Sequence, residues 1–357
     1  MKLEVKIEKQ LGNFLLNSEF TAESETFALL GASGCGKTMT LKCIAGIEKP
    51  DRGRIVLGNR VLYDSEQKIC LPARERRVGY LFQDYALFPK MTVRQNVYCV
   101  TKDRDHADEL IRRFCIGDVA DQYPAELSGG QSQRTALARM LATCPEVLLL
   151  DEPFSALDNY MRTRMEHEIL NMLEGYRGPA VIVTHDRNEA YRMARRIGVM
   201  EAGTIVEQKD RQDFFDHPDT VAAARLTGCK NISRIRQRED GTWFAEDWGT
   251  PLPVPAEQSM EGISHVGFRA HYFRFVPGGE KESAPGCTFH CRLQRVIQDT
   301  FSVVICFTVD GNPSESPDAL LTWITDKNRW EEVKDQVLSG SFRLQPDETR
   351  MMYLKQN

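Results

Sequence analysis

Gly31-Ala32-Ser33-Gly34-Cys35-Gly36-Lys37-Thr38 is a glycine-rich turn set between two segments of different periodicity. Upstream, Thr26-Phe27-Ala28-Leu29-Leu30 is a short, almost unbroken apolar run that suits a buried strand. Downstream, Met39 to Ala45 reads as a helix. A turn of this kind aims several backbone N–H groups, together with the positive end of the helix, at one anion. Lys37 then reaches β- and γ-phosphates, and the Thr38 hydroxyl is placed to ligate Mg²⁺. Gly31, Ser33, Gly34, Cys35, Gly36, Lys37, Thr38 and Thr40 make up the expected cradle, with Cys35 a small residue that fits the loop or an alkylation-sensitive thiol. The stretch predicts a nucleoside-triphosphate site on an α/β core.

The chain has 357 residues, more than one core usually serves, so two domains are expected. Charged residues are 27% and apolar residues 41%, ordinary for a soluble globular protein. The net charge of −5 with no basic stretch argues against a nucleic-acid face. Arg74-Glu75-Arg76-Arg77 reads as a solvated loop. No apolar segment approaches the roughly 18–20 residues needed to cross a bilayer. Met1 to Ile7 alternates like an edge strand and lacks the apolar run of a signal peptide. A cytosolic location is therefore expected, with any membrane role supplied by a partner. Ten scattered cysteines suit reduced thiols. Cys287, His290 and Cys291 have no second ligand pair, and on a strand the imidazole would face away from both thiols.

Val147-Leu148-Leu149-Leu150, Ala180-Val181-Ile182-Val183 and Ile197-Gly198-Val199-Met200 are further buried parallel strands. Between Tyr85 and Cys144 the pattern turns helical, with helices expected at Asp105–Cys115 and Gln131–Ala142, a helical subdomain inserted into the α/β core. After Gly228 the character changes. Trp243, Trp248, Trp323 and Trp330 all lie there, among short alternating segments such as Ser302–Phe307 broken by Pro251, Pro253, Pro255 and Pro277-Gly278-Gly279. Residues 232–357 read as a small β-barrel domain, with the boundary near Thr227 to Ile232.

Asp151 and Glu152 close the strand Val147–Leu150, and the carboxyl end of a parallel strand is where ligands bind. Asp151 is placed to hold Mg²⁺ through water, and Glu152 to polarise the attacking water. In Leu127-Ser128-Gly129-Gly130-Gln131, Ser128 is a helix N-cap and two glycines bare the backbone, a second anion site.

Taken together, these motifs resemble the ATP-binding subunit of an ABC transporter: a P-loop NTPase core with an inserted helical subdomain, followed by a small all-β, OB/TOBE-like domain. Gln83 in Tyr80-Leu81-Phe82-Gln83-Asp84 matches the family's Mg²⁺-contacting glutamine, which also links to the membrane subunit. Ser155-Ala156-Leu157-Asp158 matches the loop crossing between protomers, and His185 matches the histidine on the γ-phosphate. The resemblance implies an ATPase with ATP and Mg²⁺ as cofactors, working as a homodimer against membrane permease subunits and, through them, an extracytoplasmic solute-binding protein. Two ATP molecules would lie head to tail, each between Lys37 of one protomer and Ser128, Gly129, Gly130, Gln131 and Asp158 of the other. Catalytic roles fall to Glu152, His185, Lys37 and Gln83, and Mg²⁺ ligation to Thr38, Gln83 and Asp151. Phe82, Tyr85, Leu87 and Phe88 are either core or a docking surface for the permease.

This chain departs from the family pattern at Leu11, which stands where an aromatic ring usually lies under adenine; Phe14 is the nearest ring. Leu11–Phe14, Arg76–Asp84 and Thr184–Tyr191 look most like molybdate-importer subunits, with sulfate, ferric-iron, polyamine and sugar importers as alternatives. Gly267-Phe268-Arg269-Ala270-His271 resembles a short segment of such tail domains, departing at Ala270 and His271. The tail is read either as an oxyanion sensor or as a dimerisation domain. A soluble ABC protein acting on ribosomes or DNA is a remote alternative, because paired ATPase units and a long coiled-coil insertion are both missing. A module that binds ATP without hydrolysing it is disfavoured by Glu152, His185 and Gln83.

Overall fold

Unbroken apolar strands and alternating ones both build the first unit. A computed structural model describes residues 1–155, 159–254, 259–277, 288–312 and 316–356 and divides into Met1–Arg211 and Gln212–Asn357. Ala156, Leu157, Asp158, Pro255, Gly278, Gly279, Pro285 and Cys287 lie outside the described residues.

The first unit carries one mixed sheet of eleven strands. They are β1 (Leu3–Leu11), β2 (Phe14–Ala22), β3 (Thr26–Leu30), β4 (Arg52–Leu57), β5 (Arg60–Asp64), β6 (Ile69–Cys70), β7 (Val78–Leu81), β8 (Val147–Asp151), β9 (Ala180–Thr184), β10 (Arg196–Glu201) and β11 (Thr204–Asp210). The order is β6-β5-β4-β1-β2-β11-β10-β3-β9-β8-β7. The expected buried strands are β3, β8, β9 and β10, and with β7 they form a parallel block. Both faces of that block are covered. Leu148, Leu150 and Ile182 pack into one core, while Val147, Leu149, Val181 and Val183 pack into the other.

The helices are α1 (Lys37–Ala45), α2 (Val93–Tyr98), α3 (Arg104–Arg113), α4 (Gly129–Leu141), α5 (Asn159–Glu174) and α6 (Arg187–Met193). The expected helical insertion is α2 to α4, where Val93, Val97, Leu110, Ile111 and Leu137 share a core with Leu81 and Leu150. Helix α1 covers the opposite face with β1, β2, β4 and β5 through Leu41, Cys43 and Ile44.

Two expectations fail here. β1 is not an edge strand: it pairs with β2 on one side and β4 on the other. Its alternation reports one buried face (Leu3, Val5, Ile7) and says nothing about unpaired edges. Nor is Arg74–Arg77 wholly solvated. Arg76 is 0% exposed. It donates from Nε to the Leu71 carbonyl at 2.8 Å and from Nη1 to the Cys43 and Ile44 carbonyls at 2.8 and 2.9 Å. Those last two carbonyls belong to the final turn of α1; the Cys43 carbonyl also accepts from the Gly46 N–H at 3.3 Å, and Arg76 adds a side-chain cap to that backbone one.

Among the described residues, the second unit contains α7 (Arg211–Asp216) apart from its first residue, α8 (Val221–Leu226), α9 (Lys327–Leu338) and ten strands. β12 (Asn231–Gln237), β13 (Trp243–Ala245), β14 (Thr250–Leu252), β15 (His265–Phe268) and β21 (Met352–Leu354) form one antiparallel sheet. β16 (Phe273–Val276), β17 (Phe289–Gln298), β18 (Ser302–Val309), β19 (Leu321–Asp326) and β20 (Ser341–Pro346) form the other. Both sheets feed one core through Trp248, Phe268, Phe273, Phe307 and Trp323. The Asn231 side chain links them, donating to the Thr322 carbonyl at 2.9 Å and accepting from Thr322 N–H at 2.7 Å.

The division at Arg211/Gln212 lies upstream of the change in composition near Thr227. Arg269 shows why: its guanidinium donates to the Thr227 carbonyl at 2.8 Å and to the Phe215 carbonyl, binding the last turn of α7 and the residue after α8. His290 is exposed and Cys291 buried on β17, the opposed facing that alternation requires.

Arg76→Ala takes a donor from the Leu71, Cys43 and Ile44 carbonyls, of which Cys43 keeps the Gly46 N–H, and should destabilise the first unit by about 3 kcal/mol. Urea unfolding followed by far-UV circular dichroism checks this; a loss below about 1 kcal/mol would show that Arg76 is not the cap of α1.

Candidate active site

Three adjacent parallel strands deliver the functional residues to one edge of the sheet. Leu30 of β3 pairs in register with Thr184 of β9, and Val183 with Asp151 of β8. The phosphate loop, His185 and Glu152 therefore all leave the sheet at neighbouring carboxyl ends. β7 lies beside β8, with Leu81 opposite Leu150, so Gln83 leaves the sheet at the same edge, where its side chain is exposed.

The loop is shaped by glycine. Gly36, the N-cap of α1, has φ +108°, and a Cβ there would stand 2.8 Å from Leu16 Cδ1. Lys37 is buried and its ammonium donates to the carbonyls of Gly31 and Ala32, both at 2.8 Å. Cys35 is buried, with Sγ 3.7 Å from Lys37 Nζ, while Ser33 and Gly34 are exposed. Gly203, in the β10–β11 turn, donates from its N–H to the Cys35 carbonyl at 3.1 Å. Thr40 is fully buried and its hydroxyl donates to the Gly36 carbonyl at 3.1 Å, so its side chain braces the turn into α1.

Asp151 is the electrostatic centre. It is 3% exposed and accepts from the Thr38 hydroxyl at 2.8 Å and the Tyr80 hydroxyl at 2.8 Å. Burial raises its pKa, and the two hydroxyl donors pull it partly back. Burial, followed by the nearby Asp151 carboxylate, pushes the Tyr80 phenol well above its ordinary value. Thr38 and Asp151 offer only hard oxygens. No cluster of three His, Cys, Asp or Glu occurs among the described residues. Such a donor set suits Mg²⁺, which commonly takes one or two protein oxygens and completes its shell with phosphate and water.

Glu152 sits at φ +43°, a left-handed conformation uncommon outside glycine, and its N–H donates to the Val183 carbonyl at 3.0 Å. Its Oε2 lies 3.4 Å from His185 Nδ1. Asp186 follows, capping α6 through Asn188 N–H at 2.7 Å.

Ser128 caps α4 as expected: its Oγ accepts from Gln131 N–H at 3.3 Å, and its N–H donates to Gln131 Oε1 at 2.8 Å. Ser128 and Gly129 are exposed, whereas Gly130 is buried, a Cβ there falling 2.2 Å from Met161 Cε. Among the described residues Ser128 makes no hydrogen bond to the phosphate loop. Asp158 lies outside the described residues. Leu11 and Phe14 pair across the β1–β2 turn, and the Phe14 ring tip comes within 3.3 Å of where a Gly36 Cβ would stand. Of Phe82, Tyr85, Leu87 and Phe88, Tyr85 is buried in the core and Phe88 is 46% exposed.

Sequence reading missed two contributors. Tyr80 reaches Asp151 from the neighbouring strand, a contact visible only once β7 and β8 are known to be adjacent. Gln133 is fully buried in α4 and donates to the Pro153 carbonyl at 2.7 Å, one residue beyond Glu152; a glutamine inside a helix carries no local sign of that contact.

A phosphate loop on α1, a buried carboxylate at the end of the adjoining strand block and a glutamate with a histidine beside it define a P-loop nucleotide-hydrolysing protein. The family model described as "ABC transporter" matches residues 17–155. The putrescine transport ATP-binding protein PotG of Escherichia coli (strain K12) is 37% identical over 281 residues, 75% of this chain and 72% of that one. The sulfate/thiosulfate import ATP-binding protein CysA of Caulobacter vibrioides is 34% identical over 325 residues, 87% of this chain and 90% of that one. Among solved structures, the ATP-binding cassette MJ0796, in a dimeric post-hydrolysis state with ADP and Pi, is 27% identical with a TM-score of 0.51, covering 59% of this chain and 99% of that one. The chain belongs to the ATP-binding proteins of ABC transporters and is an ATPase of that family.

Tyr80→Phe removes the one hydroxyl that reaches Asp151 Oδ2 among the described residues and should destabilise the first unit by about 1–3 kcal/mol, the cost of a buried acceptor left short. Urea unfolding of the full chain tests this, and a midpoint equal to wild type would mean that water replaces the phenol.

Proposed function

We propose that this chain is the ATP-hydrolysing subunit of an importer, working as a homodimer in which each ATP lies between the phosphate loop of one protomer and Ser128, Gly129, Gly130 and Gln131 of the other. One observation carries the reading. Lys37, Thr38, Asp151, Glu152, His185 and Gln83 share one sheet edge, while among the described residues the exposed, capped end of α4 makes no hydrogen bond to that loop. A site assembled from both protomers gives the α4 end its anion.

In this reading Gly31, Ser33, Gly34, Cys35, Gly36 and Lys37 cradle the phosphates, Thr40 braces them, and Phe14 offers the base the ring that Leu11 cannot. Thr38, Asp151 and Gln83 would hold Mg²⁺. When bound, that ion neutralises charge shared by the β- and γ-phosphates. Glu152 orients a water and takes its proton as the oxygen attacks the γ-phosphorus; the bond to the β–γ bridging oxygen breaks, and ADP and phosphate leave. His185, 3.4 Å from the Glu152 carboxylate, steadies the γ-phosphate. Asp158, Ser128 and the glycines close the site from the partner, so hydrolysis waits on dimer closure.

Membrane permease subunits would hold the dimer at the cytoplasmic face and couple closure to transport, with an extracytoplasmic binding protein delivering solute. None of the described helices is long and apolar enough to cross a membrane. The cargo reading is an oxyanion, molybdate or tungstate, supported by the resemblance at Leu11–Phe14 and Arg76–Asp84. The relatives include a sulfate/thiosulfate import protein, of the same chemical class, and a putrescine transport protein of higher identity, so sulfate, ferric iron, polyamine and sugar stand as alternatives. Residues 1–228 act as the ATPase domain and 232–357 as a regulatory or dimerisation domain.

Glu152→Gln should bind ATP with affinity within about twofold of wild type, lose about 100-fold or more in kcat and accumulate as an ATP-bound dimer. Fluorescent-nucleotide titration and size-exclusion chromatography read both effects, and wild-type turnover would remove Glu152 from its role. For the cargo, ATPase of the subunit copurified with its permease is measured with binding protein loaded with molybdate, tungstate, sulfate or phosphate. Stimulation by molybdate and tungstate alone is expected. A response to sulfate alone, or to no oxyanion, would overturn the molybdate reading and leave the ATPase intact.

A further inference from the structure

Directly after Gln83 the backbone adopts a conformation that L-residues resist. Tyr85 has φ +61° and Ala86 φ +43°, two successive non-glycine residues in the left-handed region. Such a pair persists only where its surroundings over-determine it. The local constraint is Arg139, in the last turn of α4. Its Nη2 donates to the Tyr85 carbonyl at 2.9 Å and its Nη1 to the Ala86 carbonyl at 2.9 Å, with a longer contact to Asn96 Oδ1 at 3.4 Å. The guanidinium also lies over the Phe88 ring, 5.1 Å from its centroid. Fully buried Asn96 fixes the far side, accepting from Phe88 N–H at 2.9 Å and donating to the Phe88 carbonyl at 3.2 Å.

No carboxylate pairs with Arg139 among the described residues. Burial lowers its pKa, and its donors go to two backbone carbonyls, the Asn96 amide oxygen and one aromatic face. A planar fork with several donors holds two adjacent carbonyls at once, which a lysine ammonium on a flexible stem does poorly. The Tyr85 ring is buried, its hydroxyl without a partner among the described residues, so the strained segment is anchored by packing and by Arg139.

We propose that Arg139 is a positioning residue for Gln83: its clamp on the Tyr85 and Ala86 carbonyls holds the left-handed turn that sets where the chain leaves Gln83. The consequence rests on the reading of Gln83 and Ser128 given above. Ser128 caps one end of α4 and Arg139 lies in the last turn at the other, so one thirteen-residue helix joins the partner-facing motif to the Gln83 turn. A tilt of α4 on engaging the partner's nucleotide would pull directly on Gln83.

The test uses the full chain with Arg139→Lys, Ala86→Gly and the double variant, plus Gln83→Ala. Arg139→Lys should raise hydrogen exchange of the amides from Gln83 to Phe88 by about tenfold or more while the phosphate loop stays protected. It should lower kcat by about tenfold, with KM for ATP within about twofold, because Arg139 does not touch nucleotide. Glycine adopts φ +43° without a clamp, so Ala86→Gly alone should keep full kcat, and in the double variant should return kcat to within about twofold of wild type. Unchanged exchange in Arg139→Lys, or a double variant no better than the single one, would overturn the clamp. Gln83→Ala with wild-type kcat would instead overturn the role assigned to Gln83, leaving the clamp to stand on the exchange data.

Discussion

The site depends on one constraint: β10, β3, β9, β8 and β7 run parallel and are covered on both faces. Parallel strands hidden from water on either side have little freedom to shift register, because a one-residue slip exchanges the side chains of the two cores. With register held, the carboxyl ends of β3, β8 and β9 fall level. The loop of Lys37, the pair Asp151–Glu152 and His185 then meet without any of them having to bind another strongly. That edge can therefore remain open while the apolar sheet beneath it carries the stability.

Asp151 is where that arrangement becomes electrostatic. A nearly buried carboxylate is costly unless donors reach it, and here two hydroxyls do so, from Thr38 in α1 and Tyr80 in β7. Those donors span the sheet from β3 to its edge, so the acid also registers whether the strands are correctly assembled. Glu152, one residue on, is held differently. Its left-handed backbone and its N–H bond to Val183 turn it away from the strand toward His185. Adjacent carboxylates in sequence thus occupy unlike environments, one dry and doubly bonded, the other open to the edge.

The second unit shows a different economy of forces. Aromatic side chains, Phe268, Phe273, Phe307 and Trp323 among them, pack between its two antiparallel sheets. Polar side chains do the joining: Asn231 links the sheets, and Arg269 binds the helices that precede them. Arg269 lies in the segment whose sequence resembles a tail-domain motif, and its contacts give that arginine a structural task within its own unit.

The phosphate loop, the Asp151–Glu152 pair, the capped start of α4 and the buried strands were all legible in the sequence. Each is a local signal in which glycine spacing, an apolar run or a serine before a helix has one cheap conformational reading. The tertiary structure alone decided which strands are neighbours, and therefore that β1 is interior, that Tyr80 bonds Asp151 and that Gln133 reaches Pro153. It also decided the fate of arginines. Arg76 within a charged run and Arg139 within a helix look like surface residues in sequence, yet both end on backbone carbonyls. A guanidinium can pair with main-chain oxygens of any residue, and because main-chain oxygens carry no sequence identity, no pattern of side chains announces the partner.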